Sequence, residues 1–206
     1  AGKIKDELTH VTFPEAFPVG VTPIVVAQAV YSSTTNPPVN AKVCNVTHEG
    51  FDVKLARQEG VTKTFASQTV NYFACSPGQA SIGGGKLLSA GIDNETAVYG
   101  SSTRKVTFYG ANQEELHLVN PIIVAGAQTD NYPATSVFRM TAAGTPNLDE
   151  EGNLTSRNVK RQMDGTATSA PKEEKAKGDF IGYLIISDDP NGSAEDAPVI
   201  TAISAP

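Results

Sequence analysis

The sequence holds few of the side-chain arrangements that catalysis or metal binding requires. Its three histidines, His10, His48 and His117, are far apart in the chain, and none has metal-ligand spacing to another histidine or to a cysteine. Residues 188–192 (DDPNG) place oxygen ligands beside a glycine, but they lack the full spacing and the closing glutamate of a calcium loop. We therefore predict neither a bound metal nor a cofactor.

Acidic residues occur in short runs, at Glu114-Glu115 and at residues 149–151. A glycosidase needs two carboxyl groups roughly 5–9 Å apart across a cleft, whereas adjacent residues of a strand point to opposite faces. The chain has no G-x-S-x-G nucleophile motif. Residues 83–86 (GGGK) lack the glycine spacing and the serine or threonine of a phosphate-binding loop, so they predict a flexible linker. The sequence predicts a protein that is not an enzyme.

Tyrosines near predicted strand ends are the side chains best suited to binding a ligand. A tyrosine ring offers a flat apolar face to a sugar, while asparagine and aspartate supply directional hydrogen bonds. The candidate contacts form two matched sets, Tyr31 with Asn36, and Tyr132 with Asp130 and Asn131. The alternative for these tyrosines is to cap the edge of a sandwich. Tyr72 and Tyr183 lie within predicted strands and are expected in the core.

The composition is that of a folded chain built from many short strands. Of 206 residues, 39% are hydrophobic and 18% are charged, with 18 glycines and 13 prolines to punctuate the strands. The net charge is −6 and no basic stripe is visible, which argues against a nucleic-acid partner. No apolar run approaches the ~20 residues needed to cross a bilayer, so membrane insertion is not expected.

The same pattern of predicted apolar strands occurs twice in the sequence. The matching segments are 10–13 (HVTF) with 105–108 (KVTF), 22–27 (TPIVVA) with 120–125 (NPIIVA), and 71–72 (NY) with 182–183 (GY). We predict an all-β fold of two tandem antiparallel sandwiches, residues 1–78 and 79–206, the second with a polar insertion at 143–178. The insertion is expected to be a long excursion or a small hairpin. One larger sandwich built from both halves is the structural alternative.

The order of these motifs resembles the H-type lectin domain. The resemblance rests on Gly2-Lys3-Ile4, Val11-Thr12-Phe13, Pro23–Ala27, Ala41-Lys42-Val43, Val46-Thr47, Gly50-Phe51 and Ser67–Ala74, and in the second half on Ser89–Asp93, Val106–Phe108 and Pro121–Ala125. It implies an antiparallel β-sandwich that binds sugars, often N-acetylgalactosamine, and that assembles into trimers.

The resemblance also implies positions for the binding residues. The family's sugar-binding arginine falls at Lys42 or Ser136, and its aromatic and histidine pair falls near Gln58 and Glu59. A lysine is a point charge, whereas an arginine binds two acceptor atoms at once. The replacement of the family's arginine by Lys42 is therefore expected to change which sugar is bound.

We predict non-catalytic carbohydrate binding by an extracellular or cell-surface lectin, or by a module of a larger polysaccharide-acting protein. The alternative is a structural or adhesion protein, such as a cell-surface or virion-fibre component, that makes protein contacts. The absence of tryptophan favours this alternative, because many sugar platforms use tryptophan.

The cysteines and the glycosylation sequons are the two further features that relate to the cellular location of the protein. Cys44 and Cys75 lie in predicted strands, either as buried thiols or as a disulfide. Four sequons, at Asn45, Asn94, Asn153 and Asn191, would mark surface positions if the chain were a eukaryotic secreted protein.

Overall fold

The computed structural model describes residues 3–4, 6–30, 39–57, 64–98, 103–110, 113–131, 137–140, 147–162 and 178–190. These residues form antiparallel β-sheets and contain no helix, so the predicted all-β class is confirmed. In this part of the chain there is accordingly no helix long and apolar enough to span a membrane.

The described strands of the first half form two three-stranded sheets, β1-β6-β3 and β2-β5-β4. Their bounds are β1 (Lys3–Ile4), β2 (Thr9–Thr12), β3 (Ile24–Ala29), β4 (Val39–Cys44), β5 (Gly50–Arg57) and β6 (Gln68–Cys75). Alternation decides which face is buried: Phe51, Val53 and Leu55 of β5 enter the core, while Asp52 and Lys54 point away from it. The prediction that Tyr72 lies in the core is wrong: the residue is 37% exposed, and its ring packs on Phe51 from the edge of the core, with 4.9 Å between centroids.

The strands of the second half that are described repeat this pairing order. Their bounds are β7 (Gly78–Gly83), β8 (Lys86–Val98), β9 (Thr103–Thr107), β10 (Val119–Ala127), β11 (Val137–Met140), β12 (Asn147–Leu148), β13 (Leu154–Gln162) and β14 (Asp179–Asp188). The order β8-β14-β10 corresponds to β1-β6-β3, and β9-β13-β11 corresponds to β2-β5-β4; β7 and β12 are added strands. Tyr183 lies fully buried in the core, as predicted.

Each half has its own hydrophobic cluster. Phe51, Val53 and Leu55 belong to the first, and Phe108, Tyr183 and Ile185 to the second. Among the described strands, those of residues 3–75 pair only with one another, as do those of residues 78–188. The division into two sandwich domains at residue 78 stays a prediction.

Two segments differ from what the sequence led us to expect. Residues 83–85 are not a flexible linker: they close the β7–β8 hairpin, with all three glycines at positive φ (79°, 58° and 65°). The polar stretch 143–178 contributes the central strand β13, which pairs with β9, β11 and β12. The buried apolar residues of β13, Leu154 and Val159, are an odd number of positions apart. They therefore do not produce the alternation of apolar and polar residues that predicts a strand.

Candidate ligand-binding site

The structure brings two predicted ligand contacts together across the two halves. Lys42 of β4 donates a hydrogen bond from its ammonium to the carboxylate of Asp130, which follows β10. The remaining described candidate, Asn131, is discussed below. The other predicted contacts lie outside the described residues: Tyr31, Asn36, Gln58 and Tyr132.

A second lysine completes this cluster. Lys54 of β5 lies directly opposite Lys42 in the β4–β5 ladder, where two like charges repel. Asp130 offers one carboxylate oxygen to each lysine and so offsets that repulsion. Lys42 is only 5% exposed, and the other two side chains are 19% and 15% exposed. We call Lys42, Lys54 and Asp130 the lysine cluster.

Asn131 is used by the fold itself. Its backbone N–H donates to the buried carboxylate of Asp179 (2.9 Å), and its side-chain amide donates to the carbonyl of Gly178 (2.8 Å). Thr129 also donates its hydroxyl to Asp179 (3.0 Å). These bonds tie the segment after β10 to the start of β14 and thereby hold Asp130 in place.

Gln128 joins the two halves through the backbone of β3. The amide of this buried side chain accepts from the N–H of Val25 (3.0 Å) and donates to its C=O (2.6 Å). It therefore takes the place of a peptide group on the edge of β3 that faces away from β6. The sequence analysis did not identify Gln128 as a functional residue. The one feature that could have indicated it is its position, as an uncharged polar residue directly after the apolar run of β10.

A cleft of about 230 Å³ lies beside these contacts, and we call it the junction cleft. It is lined by residues 25–29 of β3, 39–43 of β4 and 125–127 of β10. The N–H and C=O groups of successive residues point to opposite edges of a strand. Those of Val25 point toward Gln128. The N–H and C=O groups of Ala27 and Ala29, two and four residues further on, therefore point to the same edge of β3. The cleft thus combines peptide donors and acceptors with small apolar side chains.

The two cysteines are free thiols. Burial raises the pKa of Cys44, with Asp130 and Asp52 adding to the effect, and burial raises the pKa of Cys75 to about 11. Both therefore stay protonated at neutral pH, a state that is poorly nucleophilic.

Each half also carries one surface carboxylate held by a histidine and an asparagine. The bonds are His10 Nδ1 to Asp52 (2.9 Å) and Asn45 to Asp52 (2.8 Å), and His117 Nδ1 to Asp149 (2.5 Å) and Asn153 to Asp149 (3.0 Å). The bond from His117 lowers the pKa of Asp149 to about 2. Within the described ranges, no group of three or more His, Cys, Asp or Glu is placed to hold a metal ion.

Comparison with known proteins adds no family to this description. No protein-family model, curated protein or solved structure matches the chain. The likeness to H-type lectins stays a prediction that rests on the motifs of the sequence.

Proposed function

We propose that this protein binds carbohydrate in the junction cleft without converting it chemically. The observation that carries the proposal is the convergence there of two halves, with Lys42, a strand edge and small apolar walls around one cavity. Sugar sites need this mixture, because each ring presents hydroxyl groups beside apolar C–H faces.

The polar groups of the cleft suit hydroxyl ligands. A hydroxyl both donates and accepts, and the edge of β3 presents N–H and C=O groups side by side at Ala27 and Ala29. Gln28 and Asn40 add carboxamides to the lining. The volume of about 230 Å³ is below the ~300–1,000 Å³ of pockets for drug-sized ligands, which favours a single sugar ring over a longer segment.

A glycan-array screen with a blocking variant tests this proposal. A Cβ atom built on Gly126, which lines the cleft, meets no atom within 4 Å, so we expect Gly126→Leu to be accommodated and to narrow the cleft. We expect the wild-type protein to bind one class of glycan and Gly126→Leu to lose about tenfold or more in affinity. Ala80→Leu, on exposed β7, is the matched control and should bind normally. A blank across plant, algal, microbial and animal glycans would contradict the proposal.

The predicted loop tyrosines belong in the same screen. A Tyr31→Ala/Tyr132→Ala double variant that loses binding would add these side chains to the site. Unchanged binding would limit the site to the cleft.

We also propose that the two halves are tandem sandwiches of the H-type lectin kind and that the protein acts outside the cell or on its surface. The shared pairing orders of β1-β6-β3 and β8-β14-β10 support the tandem arrangement. Secretion itself is tested by locating the protein in its source organism, and a cytosolic location would contradict it.

A structural or adhesion role is the second candidate, and an apolar strip favours it. Ile122 and Val124 of β10 are 68% and 50% exposed, and Ile186, opposite Ile122 on β14, is 37% exposed. Adjacent exposed aliphatic side chains on a sheet are typical of protein-contact surfaces. Analytical ultracentrifugation should then show concentration-dependent association that Val124→Lys abolishes. Val19→Lys, at a residue 88% exposed, should associate like the wild type. A monomer at all concentrations would count against self-association through the strip.

A further inference from the structure

We infer that an extended segment of a partner polypeptide binds in the junction cleft as an additional strand on the open edge of β3. This edge presents the N–H and C=O groups of Ala27 and Ala29 to the cleft. The inference goes beyond the proposed carbohydrate binding, because it assigns a second class of ligand to the same cleft.

The backbone hydrogen bonds of β3 define this edge. The N–H of Val30 donates to the carbonyl of Thr69 (2.8 Å), so the even-numbered residues of the strand direct their backbone groups to β6. Val25, Ala27 and Ala29 therefore direct theirs to the opposite side. Among the described strands, none pairs with β3 on that side.

The carboxamide of Gln128 already pairs with this edge as a peptide group would. It accepts from the N–H of Val25 and donates to the C=O of the same residue. The groups of Ala27 and Ala29 follow at intervals of roughly 6.6 Å, twice the rise per residue, and a second strand presents its own groups at the same interval. A segment added to β3 would thus continue the pairing that Gln128 begins.

The walls of the cleft leave room for another backbone. The lining residues contributed by β10 are all small: Ala125, Gly126 and Ala127. A Cβ atom built on Gly126 meets no atom within 4 Å. Glycine within a strand often marks a place where a ligand or another backbone approaches closely. Apolar side chains at alternate positions of the added strand would pack on these walls.

The edge of β3 lacks the features that commonly prevent strand addition. Open edges are blocked by charged side chains, proline or bulges, because their N–H and C=O groups are otherwise a template for another chain. The sequence of β3 (IVVAQA) contains neither a charge nor a proline, and its register with β6 is continuous. Strand addition is a common mode of peptide recognition, in which main-chain hydrogen bonds provide the affinity.

Hydrogen exchange on the full chain tests the inference. The probes are acetylated and amidated peptides of three Thr-Xaa repeats, with Ala, Val, Ile or Leu as Xaa. We expect at least one peptide to slow the exchange of the Ala27 and Ala29 amides by about tenfold or more, because these protons become hydrogen-bonded. The same peptide with every backbone nitrogen methylated keeps its side chains but loses its donors, and should bind about tenfold more weakly or worse.

Proline variants place the effect at β3. Ala27→Pro removes an N–H that points away from β6, so the β3–β6 hydrogen bonds stay in place. This variant should bind the peptide about tenfold more weakly or worse. Gln79→Pro, on the edge strand β7, is the control and should bind normally. If Ala27→Pro fails to fold, Ala29→Pro replaces it, and the methylated peptide tests the wild-type protein in either case.

The outcomes separate this inference from the proposed function. Exchange unchanged by every peptide, or equal binding of the methylated peptide, overturns the inference and leaves carbohydrate binding to the glycan array. Amides of Ala27 and Ala29 that are protected before peptide is added, or protected more as protein concentration rises, show that the chain itself or a second copy covers the edge, and both results overturn a partner segment. Peptide-dependent protection with a blank glycan array supports the inference and contradicts the proposed function.

Discussion

In this protein, single buried side chains form hydrogen bonds with backbone groups that would otherwise pair with another strand or with water. Gln128 supplies an amide to the edge of β3, and the hydroxyl of buried Tyr183 donates to the carbonyl of Tyr109 (3.0 Å). Burial raises the pKa of Tyr183, which keeps that hydroxyl a donor at all ordinary pH values. Asp52 and Asp149 are each held by a histidine and an asparagine. Such contacts fix the polar surface around the two cores.

The pair of His117 and Asp149 predicts a specific acid response. The pKa of Asp149 is lowered from 3.8 to about 2, chiefly by the bond from His117. A lowered carboxyl pKa stabilises the folded state above the unfolded pKa, and this contribution is lost as pH falls through the folded value. In His117→Ala we expect the pKa of Asp149 to rise toward 3.8, and unfolding in acid to begin at higher pH. A carboxyl-detected NMR titration measures the pKa directly.

His10→Ala is the matched control for that titration. It removes the histidine from Asp52 and should leave Asp149 unchanged. A pKa of Asp149 that stays near 2 in His117→Ala would show that the neighbouring Asn153 alone holds the carboxylate ionised.

Among the elements, the β4–β5 hairpin depends for part of its stability on a side chain from the other half of the chain. Its ladder sets Lys42 opposite Lys54, a pairing that is unfavourable by itself. The segment after β10 supplies Asp130 and is in turn tied to β14 through Asp179. The hairpin, the segment after β10 and the start of β14 are therefore linked by side-chain contacts beside the junction cleft.

Asp130→Asn should destabilise the protein by about 3 kcal/mol, because it removes the carboxylate charge that both Lys42 and Lys54 contact in a largely buried setting. Adding Lys54→Met should restore part of the loss by removing the like charge. Urea unfolding followed by fluorescence measures both effects. Asp6→Asn, at an exposed residue, is the control and should change stability by no more than about 0.5 kcal/mol. A similarly small change in Asp130→Asn would contradict this account.

At the scale of the whole molecule, two separate hydrophobic clusters meet where β3 packs against β8, β10 and β14, and side-chain polar contacts add to this packing. Gln128 pairs with Val25, and Asp130 pairs with Lys42 and Lys54, while the strands of each half pair only among themselves in the described ranges. Coupling between the halves should therefore depend on single side chains more than on sheet hydrogen bonds.

Gln128→Ala should make the two halves unfold more independently. The variant leaves the buried N–H and C=O of Val25 without partners, at a cost of ~1–3 kcal/mol. Differential scanning calorimetry should show a higher ratio of calorimetric to van't Hoff enthalpy than in the wild type. Gln79→Ala, which loses a bond to Ser89 within the second half, is the control. An unchanged ratio in Gln128→Ala would mean that the junction does not depend on this amide.

The all-β class was predictable because strand signals are local. In β5 the alternation of Phe51, Val53 and Leu55 with polar neighbours is complete within eight residues. Of the candidate site, Lys42 and Asp130 could be named from the sequence, but their contact could not. The strand β13 and the hairpin turn at residues 83–85 were missed because neither pattern differs locally from a polar loop or a linker.

The sequence by itself determined the all-β class, the two similar apolar patterns and the alternating core residues of strands such as β5, since each follows from residue types a few positions apart. Only the tertiary structure showed which residues contact one another at the junction between the two halves. Asp130 is 88 positions from Lys42 and 76 from Lys54, and Gln128 is 103 positions from Val25. No local pattern relates residues so distant, because their contacts arise only when the two halves pack together and polar groups at that contact must find partners.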